Sequence, residues 1–180
     1  MDKIKEQKKA FRREVKAKIA TISSEDKQLR AEQIFEQVSQ MPDFQISKNI
    51  LMFWSLPDEI FTHKAVLEFS KEKTVILPIT VGDDLVFSRF SSLVDMTIGN
   101  FGIAEPNIKD MIDTSLIDFA IIPGVAFDKS NNRMGRGRGF YDRILNSISA
   151  KKVGVCLREQ YFEAIPTEDF DKKMDYVIFA

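Results

Sequence analysis

Five consecutive residues, Gly135-Arg136-Gly137-Arg138-Gly139, alternate a residue without a side chain with a forked cation. Arg133 and Met134 precede them, and Phe140, Tyr141 and Asp142 follow. Glycine admits positive φ and lets the backbone come close to a ligand. Arginine adds a fixed charge and paired N–H donors that match phosphate oxygens. A carboxylate just beyond, Asp142, suits a magnesium ion held against those phosphates. The chemistry available to such a stretch is anion binding, with phosphate as the usual anion. The plainer reading is a flexible basic loop and a first-turn Asp that only meets a helix dipole. Neither common nucleotide motif is present: there is no GxxxxGK[ST], and the glycines are not spaced GxGxxG.

Such a loop needs rigid elements on both sides. Phe119 to Ile122 is a short apolar run that stops at Pro123-Gly124, and a polar loop follows. Tyr141, Ile144, Leu145 and Ile148 recur at helical spacing. The expected order is strand, glycine-rich basic loop, helix, which brings unpaired N–H groups and the positive dipole end to the loop.

Upstream, residues 3 to 20 read as a helix with a narrow apolar stripe of Ile4, Phe11, Val15, Ile19 and Ile22. Lys8 and Arg12 are four apart and share one side of it; the other basic residues read as a solvated face. Ser23 or Ser24 caps a second helix, whose core face is Leu29, Ile34, Phe35, Val38 and Met41 and whose end is marked by Pro42. Asn49 to Trp54 is an expected strand, apolar from Ile50 onward as in a strand covered on both faces. Ligands in open α/β sheets sit beyond the carboxyl ends of strands. Glu59, in Ser55-Leu56-Pro57-Asp58-Glu59, is thus placed to bind one, with helix capping or solvation as the alternative. Trp54 can stack on a flat ring or simply pack in the core. His63 is isolated and reads as a surface residue. A helix is expected over Thr62–Ser70, a strand over Thr74–Leu77 stopped by Pro78, and a strand over Leu85–Phe90 with Arg89 at the ligand edge. Asn100 to Pro106 carries turn residues. Val153–Leu157 and Met174–Phe179 are the last strands, separated by a loop from Glu159 to Asp171, with Asp175 at the start of the final strand.

Alternating strands and helices without a repeat or linker predict one α/β domain over residues 1–180. It is a Rossmann-like three-layer fold: a largely parallel sheet, helices on both faces, and an antiparallel edge. A chain of 180 residues with 44% hydrophobic and 29% charged residues suits one domain with a substantial core. The net charge of -1 gives no bulk case for nucleic-acid binding. One cysteine excludes an internal disulfide, and Cys156, in an apolar run, reads as a buried strand residue. One Cys and one His cannot build a Cys/His zinc cluster. No apolar run approaches the roughly 20 residues that span a bilayer, and the charged N-terminus has no signal-peptide core. A cytoplasmic monomer without nucleic-acid or membrane partners is expected.

The block from Pro123 to Leu145, PGVAFD…NRMGRGRGFYDRIL, resembles the signature of the 5-formyltetrahydrofolate cyclo-ligase family. That signature runs P-G-x-x-F-D, a short gap, then R-hydrophobic-G-x-G-x-G-[YF]-Y-D, and other segments extend the similarity over essentially the whole chain. The resemblance implies that 5-formyltetrahydrofolate and ATP give 5,10-methenyltetrahydrofolate, ADP and phosphate, with magnesium and through a phosphorylated formyl oxygen. It implies ATP contacts at Lys8 and Arg12, from an N-terminal K-x-x-[hydrophobic]-R, and at Arg133, Met134, Gly135, Arg136, Gly137, Arg138, Gly139, Phe140 and Tyr141. Arg136, Arg138 and Tyr141 are the catalytic candidates. Asp142 and Asp175 would hold magnesium. Trp54, Glu59, Glu105 and Tyr141 would place the folate, Glu105 through a G-I-x-[EQ]-P segment matched by Gly102-Ile103-Ala104-Glu105-Pro106. Two positions depart from the family pattern: Ile79-Thr80 stand where a basic residue often follows the proline, and Arg138 stands where Lys is common. Two other classes stay open here. One is a different phosphate-binding α/β enzyme of the sugar-phosphate isomerase type; the other is an RNA-binding module using the Gly-Arg loop.

Overall fold

The apolar runs lie side by side in one sheet. A computed structural model describes residues 2–99, 102–107 and 110–180. In chain order the elements are α1 (Asp2–Ala20), α2 (Ser24–Gln40), α3 (Pro42–Ile46), β1 (Asn49–Leu51), α4 (His63–Phe69), β2 (Thr74–Val81), β3 (Asp84–Arg89), β4 (Met96–Ile98), β5 (Ala104–Pro106), β6 (Phe119–Ile122), β7 (Ala126–Asp128), β8 (Arg133–Met134), α5 (Phe140–Ile144), β9 (Lys151–Cys156), β10 (Tyr161–Phe162) and β11 (Tyr176–Phe179). Among the described residues, the main sheet runs β11-β9-β6-β1-β2-β3. Every neighbouring pair is parallel except β2 with β3, which supplies the antiparallel edge.

Successive strand residues feed opposite faces, as the two-residue period of a strand requires. Ile50, Val75, Phe119, Ile121, Val153 and Val155 pack with residues of α1 to α4. Leu51, Ile76, Ala120, Ile122 and Cys156 pack on the other side with Leu145 and Ile148, which directly follow α5. All four residues of β6 are buried, which is why this strand reads as a continuous apolar run. The sheet is therefore covered on both faces, but unequally: four helices on one side, a five-residue helix and its following turn on the other.

Several elements differ from the sequence reading, each for a local reason. β1 ends at Leu51, because Thr62 takes over the backbone beyond it: its hydroxyl donates to the Phe53 carbonyl and accepts from Ser55 N–H. β2 runs through Pro78 to Val81. Pairing with β1 stops at Ile76, so Pro78 lies past the ladder on that side, where no donor is required. Leu29 is exposed at 57%, since the buried stripe of α2 is Ala31, Ile34, Phe35 and Val38 and Leu29 lies off it. Pro42 ends α2 and also starts α3, at a position where its missing N–H costs nothing. Of the loop expected over Asn100–Pro106, Asn100 and Phe101 lie outside the described residues; Ala104–Pro106 pairs with β4.

The segment between Pro123-Gly124 and the glycine-arginine loop is a hairpin, β7–β8, that the sequence reading treats as loop. Buried Asp128 organises its turn, accepting from Ser130 N–H, both amide groups of Asn132, and Ile165 N–H. Phe127 lies flat on β9 because residue 154 is glycine; a Cβ there would come within 2.5 Å of the ring. The hairpin returns the chain to the carboxyl edge of the sheet, where the site is built.

Candidate active site

Arg133, at the end of the hairpin, is a strut. It is 4% exposed, donates from Nε to the Pro123 carbonyl at 2.8 Å, and pairs through Nη1 with Asp142 Oδ1 at 2.9 Å. One buried cation thereby fixes the distance between the end of β6 and the start of α5. Between those points the loop carries positive φ at Gly137 (99°) and Gly139 (71°), which favours residues without a Cβ. Arg12 of α1 donates to the Gly135 carbonyl at 2.7 Å and lies against Gly137, so the first helix backs the loop.

A cavity of about 310 Å³ opens at the carboxyl ends of β1 and β6. Trp54, Leu56, Pro78, Leu85 and Ile103 make its apolar side; Glu59, Glu105, Arg136 and Arg138 are charged groups on it, beside the paired Arg133 and Asp142. Phe140 and Tyr141 also line it. Glu59 Oε2 accepts from Leu56 N–H at 2.9 Å, and its Oε1 accepts from Arg136 Nε at 3.0 Å. Burial pushes the Glu59 carboxyl up from its ordinary pKa, with Arg136 opposing. Arg136 is itself doubly held, its Nη atoms on the Asp58 carboxylate at 2.6 and 3.1 Å. Glu105 is buried and accepts from Thr80 N–H at 3.1 Å. The Tyr141 hydroxyl is the orphan: buried, and without a hydrogen-bond partner among the described residues. Burial drives its phenol far above the usual range, so it stays protonated and can donate.

His63 is half-buried and packed against a neighbour, where the sequence reading has an isolated surface residue. Its ring stacks on Trp54 at 3.9 Å between centroids and 12° between planes, and its Nε2 lies 3.1 Å from the Ser55 carbonyl. A carbonyl only accepts, so Nε2 carries the proton. Burial lowers the His63 pKa, which favours the neutral ring. One face of the Trp54 indole is consequently covered by protein, and a ligand can meet only the rest of it.

A second cleft lies on the α1 side of the same loop. Lys8, Arg12, Gly137, Asp171 and Glu168 border it, and Gly135, Arg136, Gly139 and Asp142 border both cavities. Met134 borders this cleft as well, although it is buried with the core. Lys8 Nζ is engaged by Glu168 at 2.7 Å and Asp171 at 2.5 Å. Burial works against its charge, yet hydrogen bonds to Asp171 and Glu168 raise its pKa overall. Glu168 and Asp171 border the cleft without any sequence pattern that marks them. They sit in a stretch rich in turn and acidic residues, and only the fold brings it beside α1.

Two candidates fall elsewhere. Asp175 precedes β11, whose first residue pairs with Val153 near the start of β9, and its Oδ2 accepts from Lys152 N–H at 2.7 Å. That is the amino end of parallel strands, opposite the edge where Asp142 stands. Arg89 pairs with Asp110 at 3.2 Å and lines neither cavity. Cys156 is buried with its thiol pKa pushed up, as expected of a core residue. Among the described residues no helix is long and apolar enough to cross a membrane.

The sequence model of the 5-formyltetrahydrofolate cyclo-ligase family matches residues 4–180. A probable 5-formyltetrahydrofolate cyclo-ligase of Caenorhabditis elegans is 30% identical, over 99% of this chain and 95% of its own. The 5-formyltetrahydrofolate cyclo-ligase of Haemophilus influenzae is 36% identical, over 69% and 72%. The solved structure of Aquifex aeolicus 5,10-methenyltetrahydrofolate synthetase superposes with a TM-score of 0.88 at 31% identity, covering 96% of this chain and 89% of that one. With every strand of the sheet and both walls of the loop inside the match, the chain belongs to the 5-formyltetrahydrofolate cyclo-ligase family.

Proposed function

We propose that this chain converts 5-formyltetrahydrofolate to 5,10-methenyltetrahydrofolate at the expense of ATP, with the folate in the cavity of Trp54 and Glu59 and the nucleotide in the cleft of Lys8 and Arg12. One observation carries the reading: a single loop, Gly135 to Asp142, walls both spaces. A flat, partly polar ring suits the first, which is apolar with a few convergent charges. A triphosphate with its magnesium suits the second, lined by Lys8, Arg12 and Arg136, by glycine backbone, and by the carboxylates of Asp142, Glu168 and Asp171. The reacting atoms then meet at the loop.

The chemistry needs alignment more than a protein nucleophile. The formyl oxygen takes the γ-phosphoryl group and ADP leaves. N10 adds to the formyl carbon and gives up its proton, the carbon–oxygen bond breaks, and phosphate departs with the electron pair. Arg136 and Arg138 supply positive charge beside the transferring group. The Tyr141 hydroxyl, buried and unpartnered, donates to an oxygen of the bound substrate. Glu59 and Glu105 accept from the N–H groups of the folate ring and hold it in one orientation.

Asp142 and Asp171 border the nucleotide cleft together and offer hard oxygen donors. Magnesium characteristically takes one or two carboxylates and fills its shell with water and phosphate oxygens. No cluster of three metal-binding side chains forms among the described residues, and magnesium does not require one. These two residues would hold it, where it neutralises phosphate charge. The open basic face of an RNA-binding loop is missing from this picture. Arg133 is paired with Asp142, Arg136 with Asp58 and Glu59, and Arg143 with the backbone of Arg138 and Asp83.

The test is an absorbance assay for methenyl formation from 5-formyltetrahydrofolate, with and without ATP and magnesium. Product is expected only when both are present. Product without ATP, or none under any condition, would overturn the reading.

A further inference from the structure

Phe170 is an apolar ring left in water beside a charged cleft. It is 63% exposed and borders the same space as Arg12 and the glycine loop. Isolated exposed apolar residues are ordinary on protein surfaces; this one differs in lying on a binding cleft. Its neighbours give it a direction. Lys8 Nζ lies 5.7 Å from the ring centroid, and the adjacent residue, Asp171, holds that same Nζ. Arg12, one helical turn further along α1, reaches Gly135 and Gly137 instead. That turn advances about 6 Å along the helix axis. The cleft therefore runs from glycine backbone and guanidinium at the Arg12 end, past the Asp171 carboxylate, which acts on Arg12 as well as Lys8, to an exposed aromatic ring beyond Lys8. A nucleoside triphosphate has the same order, with phosphates at one end and a flat apolar base at the other.

We propose that Phe170 is the platform on which the adenine ring of ATP stacks. This rests on the reading of the cleft as a nucleotide site and adds the position of the base. An aromatic platform binds any purine through its π-face, so the contact supplies affinity for the base and none for the phosphates.

The experiment compares ATP with inorganic tripolyphosphate, each with magnesium, by isothermal titration calorimetry on the wild type, Phe170→Ala and Phe170→Tyr. Thermal melts establish that the variants fold. Removal of one stacking side chain weakens base binding by roughly 5- to 150-fold. Phe170→Ala is expected to lose that factor for ATP and nothing for tripolyphosphate, and Phe170→Tyr is expected to recover it. Unchanged ATP affinity in Phe170→Ala would overturn the proposal. So would an equal loss for both ligands, which would make Phe170 a prop for Lys8 and Asp171. A wild type that binds neither ligand would instead remove the nucleotide reading of the cleft, and the platform with it.

Discussion

Arg136 donates from Nε to Glu59 Oε1 at 3.0 Å across 77 positions of sequence, tying the glycine-arginine loop to the segment that follows β1. Arg136 borders both cavities, so one guanidinium lines the space of Trp54 and Glu59 and also faces the cleft of Lys8 and Arg12. It also sets the charge of Glu59. Burial pushes that carboxyl upward and Arg136 is the main force holding it down.

Arg136→Ala removes the restraint and leaves the burial. The Glu59 carboxyl then takes its proton at a higher pH than in the wild type. If folate binding uses the ionised form, the acidic limb of kcat/KM for 5-formyltetrahydrofolate moves to higher pH in the variant. Loss of a hydrogen bond to a charged group, about 1.5–3 kcal/mol, lowers kcat/KM roughly ten- to a hundred-fold at neutral pH. A pH profile that keeps its acidic limb would detach Glu59 from folate recognition.

Tyr141→Phe separates function from stability. The hydroxyl is buried without a partner in the unliganded protein, so folding forfeits its hydration for nothing. Its removal is expected to leave the melting temperature unchanged or raised, because an unsatisfied buried polar atom costs about 1–3 kcal/mol. The same change is expected to lower kcat/KM, because the substrate loses a donor. A variant that melts lower at full activity would place the hydroxyl in the fold and outside the reaction.

What the sequence made legible follows from range. The glycine-arginine loop, β6 before it and the Lys8–Arg12 pair are local patterns, and the structure brings all of them to one place. Glu168, Asp171 and His63 carry no local pattern. Glu168 and Asp171 reach Lys8 across 160 and 163 positions, through the chain's path around the sheet, and His63 meets Trp54 nine positions back, where the segment after β1 folds on itself. Asp175 illustrates the converse. Its sequence neighbourhood resembles a metal-linked segment, yet strand polarity puts it at the amino edge. Pro78 reads as a stop by propensity, and the early end of β1 removes the reason to stop.

His63 gives a pH prediction with a definite sign. Burial lowers its pKa from the ordinary 6.5. Below that value the unfolded chain binds a proton that the folded chain resists, so stability is lost as pH falls through the interval between the two pKa values. Of the groups around it, Trp54 and Phe61 are uncharged and Ser55 contributes a carbonyl. His63→Phe keeps a ring against Trp54 and removes the titration. The wild type is expected to lose more melting temperature than the variant between about pH 7.5 and pH 5.5. Equal losses would mean that His63 does not report on folding. The single Trp lets emission follow the stack in the same samples.

The metal assignment turns on Asp171 against Asp175. Asp171 borders the cleft with Asp142, while Asp175 caps the start of β9 at the far edge of the sheet. Asp171→Asn keeps the size and one carbonyl acceptor but removes the charge that a hard cation prefers. It is expected to raise the magnesium concentration for half-maximal rate. Asp171 also pairs with Lys8, so a loss of rate by itself would not identify a metal role. Titration of magnesium at saturating ATP isolates it, because a displaced Lys8 is felt in the ATP dependence. Asp175→Asn is expected to leave the magnesium requirement alone and to cost stability no more than about 1 kcal/mol, because the Asn carbonyl can still accept from Lys152 N–H. The Asp142 carboxylate cannot serve as the simple control. Its loss would strand Arg133 as an unpaired buried cation at a cost of about 3–5 kcal/mol. A raised magnesium requirement in Asp175→Asn with none in Asp171→Asn would return the metal to the amino edge and separate it from the loop that walls both cavities.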